Sequence, residues 1–281
     1  MGTSADSRDS RPAGPAHCAK HVETSPACSA HDSHLVIIPS YNSGPKLLET
    51  VREARRYWAP VWVVIDGSTD GSRLAVEALA KEDPEIAIFA LPHNQGKGAA
   101  ILHGLRSAEA AGYSHVLTMD GDGQHPANAI PNFIAESIAN PDALILGRPI
   151  FDASAPRIRV LGRKLSNWWT RVETLWTASF DSLFGFRVYP VAELRRVLEQ
   201  SRWMRRFDFD AEAAVRLCWR GCRPISLPAP VQYFLPHEGG VSHFRYVRDN
   251  LLLTWMHVRL VMCSLVRLPA LAARRLKSSP R

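Results

Sequence analysis

Ser114-His115-Val116-Leu117-Thr118-Met119-Asp120-Gly121-Asp122-Gly123-Gln124-His125 is the stretch whose reading decides the fold. An apolar run of strand length ends in two carboxylates one residue apart, with glycines between and after them and an amide two positions on. Carboxylate and amide oxygens are hard ligands suited to Mg²⁺ or Mn²⁺, and Gly121 and Gly123 let the backbone bend until Asp120, Asp122 and Gln124 converge. A cation relieves the repulsion between two ionised carboxylates so close together. The plain alternative for Asp-Gly-Asp-Gly is a surface turn. An EF-hand calcium loop is excluded: it needs Gly at its sixth position and Glu at its twelfth, where this chain has His125 and Pro131.

Upstream, the same design occurs three times. Leu35-Val36-Ile37-Ile38 reads as a buried strand, stopped by Pro39-Ser40-Tyr41-Asn42-Ser43-Gly44-Pro45 and followed by an amphipathic helix from about Lys46 to Tyr57. Val61-Trp62-Val63-Val64-Ile65 leads through Asp66-Gly67-Ser68-Thr69-Asp70-Gly71-Ser72 into a helix to about Lys81. Ile86 to Leu91 leads through His93-Asn94-Gln95-Gly96-Lys97-Gly98 into a helix ending near Gly112. With the opening stretch as fourth strand, this alternation predicts an α/β fold: a mostly parallel sheet covered by helices on both faces, with ligands at the carboxyl ends of the strands. A dinucleotide fingerprint is not met, since Ile101 stands where Gly96-x-Gly98 would need its third glycine and the first strand carries no glycine-rich loop.

Downstream the pattern changes. Pro126 to Asn140 reads as a helix and Ala143-Leu144-Ile145-Leu146 as a strand leading to Gly147-Arg148. A basic, Trp-rich helical segment follows from about Arg157 to Ser179; its arginines form either a solvated face or a phosphate clamp, guanidinium being a bidentate donor to phosphate oxygens. Asp181 to Tyr189 reads as a loop entering a strand, and Arg206-Phe207-Asp208-Phe209-Asp210-Ala211-Glu212 precedes a helix through Trp219. Cys218 and Cys222, one turn apart with no second ligand pair nearby, read as core residues.

Composition bounds the rest. The 281 residues, 46% of them hydrophobic, suffice for a real core, and a formal net charge of +7 points to an acidic partner such as a phosphorylated ligand or an anionic membrane surface. No nucleic-acid-binding motif occurs, and nucleic acid is not expected as a partner. Five scattered cysteines argue against a disulfide framework and for a reducing, cytoplasmic compartment. Residues 1–33, polar and without apolar period, read as a disordered tail and not a secretory signal; the spacings of His17, Cys18, His21, Cys28, His31 and His34 fit no zinc module.

Taken in order, Pro39-Ser40-Tyr41-Asn42, Asp66-Gly67-Ser68-Thr69-Asp70-Gly71, Asn94-Gln95-Gly96-Lys97-Gly98, Asp120-Gly121-Asp122-Gly123-Gln124-His125-Pro126, Gly185-Phe186-Arg187 and Gly240-Val241-Ser242 resemble the motifs of family 2 glycosyltransferases. The similarity is closest to the branch of dolichyl-phosphate mannose synthases and related polyprenyl-phosphate sugar transferases, and covers roughly residues 35 to 246. The resemblance implies a GT-A, Rossmann-like domain over residues 34–246 and a nucleotide-diphospho-sugar donor. It implies donor contacts at Pro39, Tyr41, Asn42, Asp66, Gly67, Gly96, Lys97, Asp120 and Gly121, and Mg²⁺ or Mn²⁺ on Asp120, Asp122 and Gln124. The leaving nucleoside diphosphate develops negative charge, which a divalent ion bridging its phosphates stabilises. Two departures stand out: Ile65 where the family often has an acidic residue, and Gly240-Val241-Ser242-His243-Phe244-Arg245 where Gly-x-Ser-Lys is common, with Arg245 as the substitute cation.

The acceptor decides the mechanism of such an inverting transferase. A hydroxyl acceptor needs a general base, for which Asp181, Asp208 and then Asp210 are the candidates. A lipid phosphate is already anionic, and Arg148, Arg163 and Ser166, with Ser242 and Arg245, would position it. A lipid-linked or otherwise membrane-borne acceptor is the expectation. The rival classes are a sugar-1-phosphate nucleotidyltransferase, for which the signature loop after the first strand is absent, and a non-catalytic nucleotide-sugar-binding module, against which the intact Asp120-x-Asp122-x-Gln124 set argues. Residues 247–281 form a basic, amphipathic helical segment in which Arg259 and Arg267 break every charge-free run short of the roughly 18 residues of a span. Arg248, Arg259, Arg267 and Arg274 share an arc of roughly 100° on a helical wheel. The segment is therefore expected to lie peripherally on the inner face of the cytoplasmic membrane with its arginines on anionic headgroups, or else to pack on the domain.

Overall fold

The computed structural model describes residues 30–151, 157–232, 234 and 245–278, so most of the expected tail, and Ser242, lie outside the described residues. The folded chain reaches four residues further back than expected. Ala30–Ser33 (α1) is a turn of helix, and its His31 ring stacks on Trp58 at 4.3 Å.

His34–Ser40 (β1) is buried at every position, as a strand covered on both faces must be. Its side chains alternate between two cores. Leu35 and Ile37 join Ile101 and Leu105 of Lys97–Ala110 (α4). Val36 and Ile38 join Leu47 and Val51 of Lys46–Tyr57 (α2) and Phe133 of Ile130–Ala139 (α5). Val61–Asp66 (β2), Ile86–Leu91 (β3) and His115–Thr118 (β4) extend the parallel sheet, with Ser72–Glu82 (α3) between β2 and β3.

Beyond β4 the sheet departs from the simple rhythm. Ala143–Ile150 (β5) does not pair with β4; Arg187–Pro190 (β6) inserts between them, antiparallel to both. Arg223–Pro230 (β7), unread in the sequence because of its three prolines, pairs with β5 as an edge strand, where missing N–H donors are tolerated. The order is β3-β2-β1-β4-β6-β5-β7, mostly parallel, with helices on both faces.

Arg157–Glu173 (α6) stops short of Ser179, because Leu175 and Trp176 turn into the left-handed region at φ 52° and 57°. Val191–Glu199 (α7) and Phe209–Arg220 (α8) follow, and Cys218 and Cys222 pack against the first core as expected. Tyr246–Ser278 (α9) is one helix of 33 residues. Its stretch Tyr246–Leu271 is long and apolar enough, by length and composition, to cross a bilayer, although no charge-free run is. Both interrupting arginines touch the domain, although Arg267 stays exposed. Arg259 pairs with the fully buried Glu212 at 2.7 Å, and Arg267 lies over the Trp219 ring. Leu251, Trp255, Leu265 and Val266 are exposed on the same helix.

Candidate active site

Parallel strands deliver their loops to one end of the sheet, and there a cavity of about 530 Å³ opens. β1 ends in Pro39 and Ser40 and the loop after it adds Tyr41 and Ser43; β2 ends in Asp66; and α4 begins at Lys97. Asp120, Gly121, Asp122 and Gln124 follow β4 along the floor, and Arg206, Asp210, Arg245 and Arg248 close the far side. Carboxylates and cations thus face one another across a space of ligand size.

Lys97 organises the floor, its ammonium lying 2.7 Å from Asp120 and 2.8 Å from Asp210. Burial works against that charge, but the two carboxylates outweigh it and hold the lysine well above its usual range. Burial likewise opposes ionisation of Asp120, and Lys97 overcomes it. Asp122 has no such partner, and burial, with Asp120 beside it, pushes its pKa up to about 6. His125 accepts the Asp120 N–H through Nδ1 at 2.9 Å, and burial pushes its pKa down to about 4. Gly185 leaves room for this cluster, since a Cβ there would meet the Lys97 Nζ at 2.5 Å and Asp120 Oδ2 at 3.0 Å.

Two carboxylates and an amide are a hard-oxygen donor set that fits a divalent cation, and the raised pKa of Asp122 marks charge the protein itself does not neutralise. Among the described residues no three His, Cys, Asp or Glu side chains form a complete metal cage. The remaining coordination positions suit phosphate and water, as for an ion that binds with a diphosphate.

The glycines of Gly96-x-Gly98 serve backbone packing. A Cβ on Gly96 would lie 2.0 Å from the Arg205 carbonyl oxygen and one on Gly98 1.8 Å from that of Met204, while Gly98 N donates to Arg205 O at 3.1 Å. This docks the 204–208 loop on α4. The carboxylate of Asp208 fixes the same loop by accepting from the N–H groups of Met204 and Arg206 at 2.9 and 3.0 Å. Asp181 is similarly committed: it accepts from the N–H groups of Leu183 and Phe184, from Asn167, and from Arg163 at 2.5 Å. Of the three candidate bases only Asp210 lines the cavity, and its Oδ1 is buried without a hydrogen-bond partner.

A second cavity of about 520 Å³, mostly apolar, lies between α6 and α9. Arg163 and Ser166 line it, and it shares Leu183, Phe207 and Asp210 with the first. The fully buried Arg187 holds the junction, donating to the carbonyl oxygens of Phe184, Asp181, Ser182 and Asp210.

Other expected residues stand elsewhere. Asn42 ties the first two loops together through Thr69 N and Ser68 Oγ, and Gly67 allows backbone contact with His93 and Asn94. Asp66, on the cavity wall, accepts from the N–H groups of Gln95 and Gly96 at 2.8 and 2.7 Å. Arg148 is exposed on β5, outside both cavity linings. Sequence reasoning missed Arg206, Phe207 and Arg248 as lining residues; Arg206 and Phe207 sit next to the Asp208 that drew attention, and Arg248 looked like one of an arginine arc.

Fold and site together define a nucleotide-sugar-dependent transferase, and residues 35–189 match the model of "Glycosyl transferase family 2". The chain belongs to that family and is a glycosyltransferase. It is similar to the undecaprenyl-phosphate mannosyltransferase of Micrococcus luteus, 28% identical over 74% of this chain and 86% of the relative. It is also similar to the polyprenol monophosphomannose synthase of Mycolicibacterium smegmatis, 27% identical over 74% and 79%. Among solved structures, the fold matches glucosyl-3-phosphoglycerate synthase from Mycobacterium tuberculosis in complex with Mn²⁺, UDP-glucose and phosphoglyceric acid (TM-score 0.55, 14% identity, 83% of this chain and 78% of that one). It also matches the mannosyltransferase PcManGT from Pyrobaculum calidifontis in complex with GDP-Man and Mn²⁺ (TM-score 0.51, 18% identity, 88% and 76%). The fold is GT-A.

Proposed function

We propose that the enzyme transfers a sugar, with inversion, from a nucleoside-diphosphate sugar to a polyprenyl-phosphate acceptor at a membrane surface. The observation that carries this reading is the pair of cavities, one charged and one apolar, that meet at Leu183, Phe207 and Asp210. A nucleotide sugar suits the first and a lipid chain the second, which brings the two reacting ends together at the junction. The names of the two curated relatives, both polyprenyl-phosphate sugar transferases, support the same acceptor class.

In this reading Pro39, Tyr41 and Asp66 hold the nucleoside, and Lys97, Arg206, Arg245 and Arg248 receive the diphosphate. Asp120, Asp122 and Gln124 would hold Mg²⁺ or Mn²⁺, which neutralises charge on the leaving diphosphate when bound. The acceptor phosphate is already an anionic nucleophile, so no general base is needed. Arg163 positions it, exchanging its Asp181 partner for phosphate oxygens. Asp181 and Asp208 keep loops in place, and Asp210 holds Lys97 against Asp120. The outward apolar face of α9 rests in the interfacial region of the cytoplasmic leaflet.

The test is nucleoside diphosphate release by purified protein with a panel of nucleotide sugars and Mn²⁺, with and without a short-chain polyprenyl phosphate. Release that depends on the lipid phosphate and yields the opposite anomer supports the reading. Release that is indifferent to it, or nucleotide-sugar synthesis from sugar 1-phosphate, refutes it.

A further inference from the structure

The apolar cavity has a polar relay in its wall. Glu173 at the end of α6 places Oε1 2.7 Å from His257 Nδ1 on α9; His257 Nε2 lies 3.0 Å from Ser166 Oγ on α6; and Ser182 Oγ lies 2.9 Å from the same oxygen. Glu173, Ser166, Ser182 and His257 are all buried, and Ser166 and His257 line the cavity. Apolar side chains surround them, Trp169 stacking on the imidazole at 6.2 Å. A carboxylate and an imidazole buried in such a wall are costly unless each hydrogen bond has a use.

The donor inventory shows the use. With its proton on Nδ1 towards an ionised Glu173, the imidazole leaves Nε2 to face the serine; burial raises the Glu173 pKa, and a protonated carboxyl there donates to Nδ1 and leaves the ring proton on Nε2. In the first form Ser166 gives its proton to Nε2. With the proton on Nε2 instead, the ring donates to the serine oxygen, and the Ser166 hydroxyl hydrogen becomes available to the cavity. An anion arriving there selects the second arrangement, because it gains a donor from the serine. Arg163, three residues before Ser166 and so on the same helix face, lines the same cavity.

The arrangement also resembles a serine hydrolase triad, but the local backbone does not support acyl chemistry. Ser166 lies within α6, whose N–H groups are consumed by the helix, and the Ser182 N–H is given to Asn167 Oδ1 at 2.8 Å. The N–H groups of Leu183 and Phe184 go to Asp181, so among the described residues of this loop no adjacent pair is left to receive an oxyanion.

We propose that His257, held by Glu173, is a positioning residue that aims the Ser166 hydroxyl at the phosphate of the lipid acceptor. This rests on the reading of the second cavity as the acceptor site.

Steady-state kinetics with a short-chain polyprenyl phosphate test it. His257→Phe should raise the KM for the lipid phosphate about 10-fold while leaving the KM for the nucleotide sugar unchanged. His257→Gln, which keeps a donor at that position, should recover most of the loss. Ser166→Ala, which removes a single oxygen, should match His257→Phe, and the two together should cost little more than either alone, because they act through one bond. Wild-type turnover with the acceptor KM unchanged in His257→Phe and Ser166→Ala overturns the relay alone. So does an equal loss in His257→Gln and His257→Phe. A wild-type enzyme without lipid-phosphate-dependent turnover overturns the acceptor reading and the relay with it.

Discussion

Asp122 is the floor carboxylate left without a cation, and that makes it the most informative single residue. Asp122→Asn should abolish turnover without altering the thermal midpoint, since it removes an anionic ligand and no fold contact beyond the Gln124 N–H bond. Full activity in the folded variant, with no added need for Mn²⁺, would remove Asp122 from the site. The three downstream aspartates separate by what they touch. Asp208→Ala leaves the buried Met204 N–H and the part-buried Arg206 N–H unpaired and should cost about 1–3 kcal/mol of stability, read by denaturant unfolding. Asp210→Asn should lower the rate by less than the ~10²–10⁴ that removing a general base costs. A collapse of that size would favour a hydroxyl acceptor instead. The metal-type cluster was legible in the sequence because Asp120, Asp122 and Gln124 are neighbours in it. Which downstream aspartate faces the cavity was not, because Asp181 and Asp208 are committed to N–H groups within four residues by loop turns that no periodicity reveals.

Among elements, α9 shows where pattern and packing part. A helical wheel finds its arginine arc but cannot say what each arginine meets; the buried Glu212 takes Arg259 and the Trp219 ring takes Arg267. The apolar side chains left exposed include Leu251, Trp255, Leu265 and Val266 on α9 and Leu161, Leu165 and Trp168 on α6. The protein should therefore sediment with phospholipid vesicles, and Leu251→Glu with Val266→Glu should release it without unfolding it, because neither side chain is buried. Sedimentation unchanged by the pair would place the membrane contact elsewhere. The first four strands were legible because each is a short apolar run with its own turn. The insertion of β6 was not, since strand direction is set by the partner, and the prolines of β7 hide an edge strand from propensity.

At the scale of the whole molecule, buried histidines set an acid limit on stability: His34 and His115, with His125 beside Asp120. His34 on β1 stacks on His115 on β4 at 4.6 Å; burial, then the His115 charge, pushes the first down to about 4, and burial lowers the second. The unfolded chain binds these protons near the ordinary imidazole value, about 6.5, where the folded one refuses them. Their contribution is intact above that value and is lost as pH falls from about 6.5 towards 4. Denaturant midpoints across this range should fall less steeply in His34→Gln than in wild type, and the difference cancels titrations elsewhere. Equal slopes would show that His34 is not held neutral.

The central claim is that the charged and apolar cavities join a nucleotide sugar to a lipid phosphate, and the identity of the product tests it most directly. Mass spectrometry of a reaction containing a nucleotide sugar, Mn²⁺ and a short-chain polyprenyl phosphate should show a glycosyl polyprenyl phosphate appearing in step with nucleoside diphosphate. Nucleoside diphosphate accompanied only by free sugar, or by a glycoside of a hydroxyl acceptor, would contradict it.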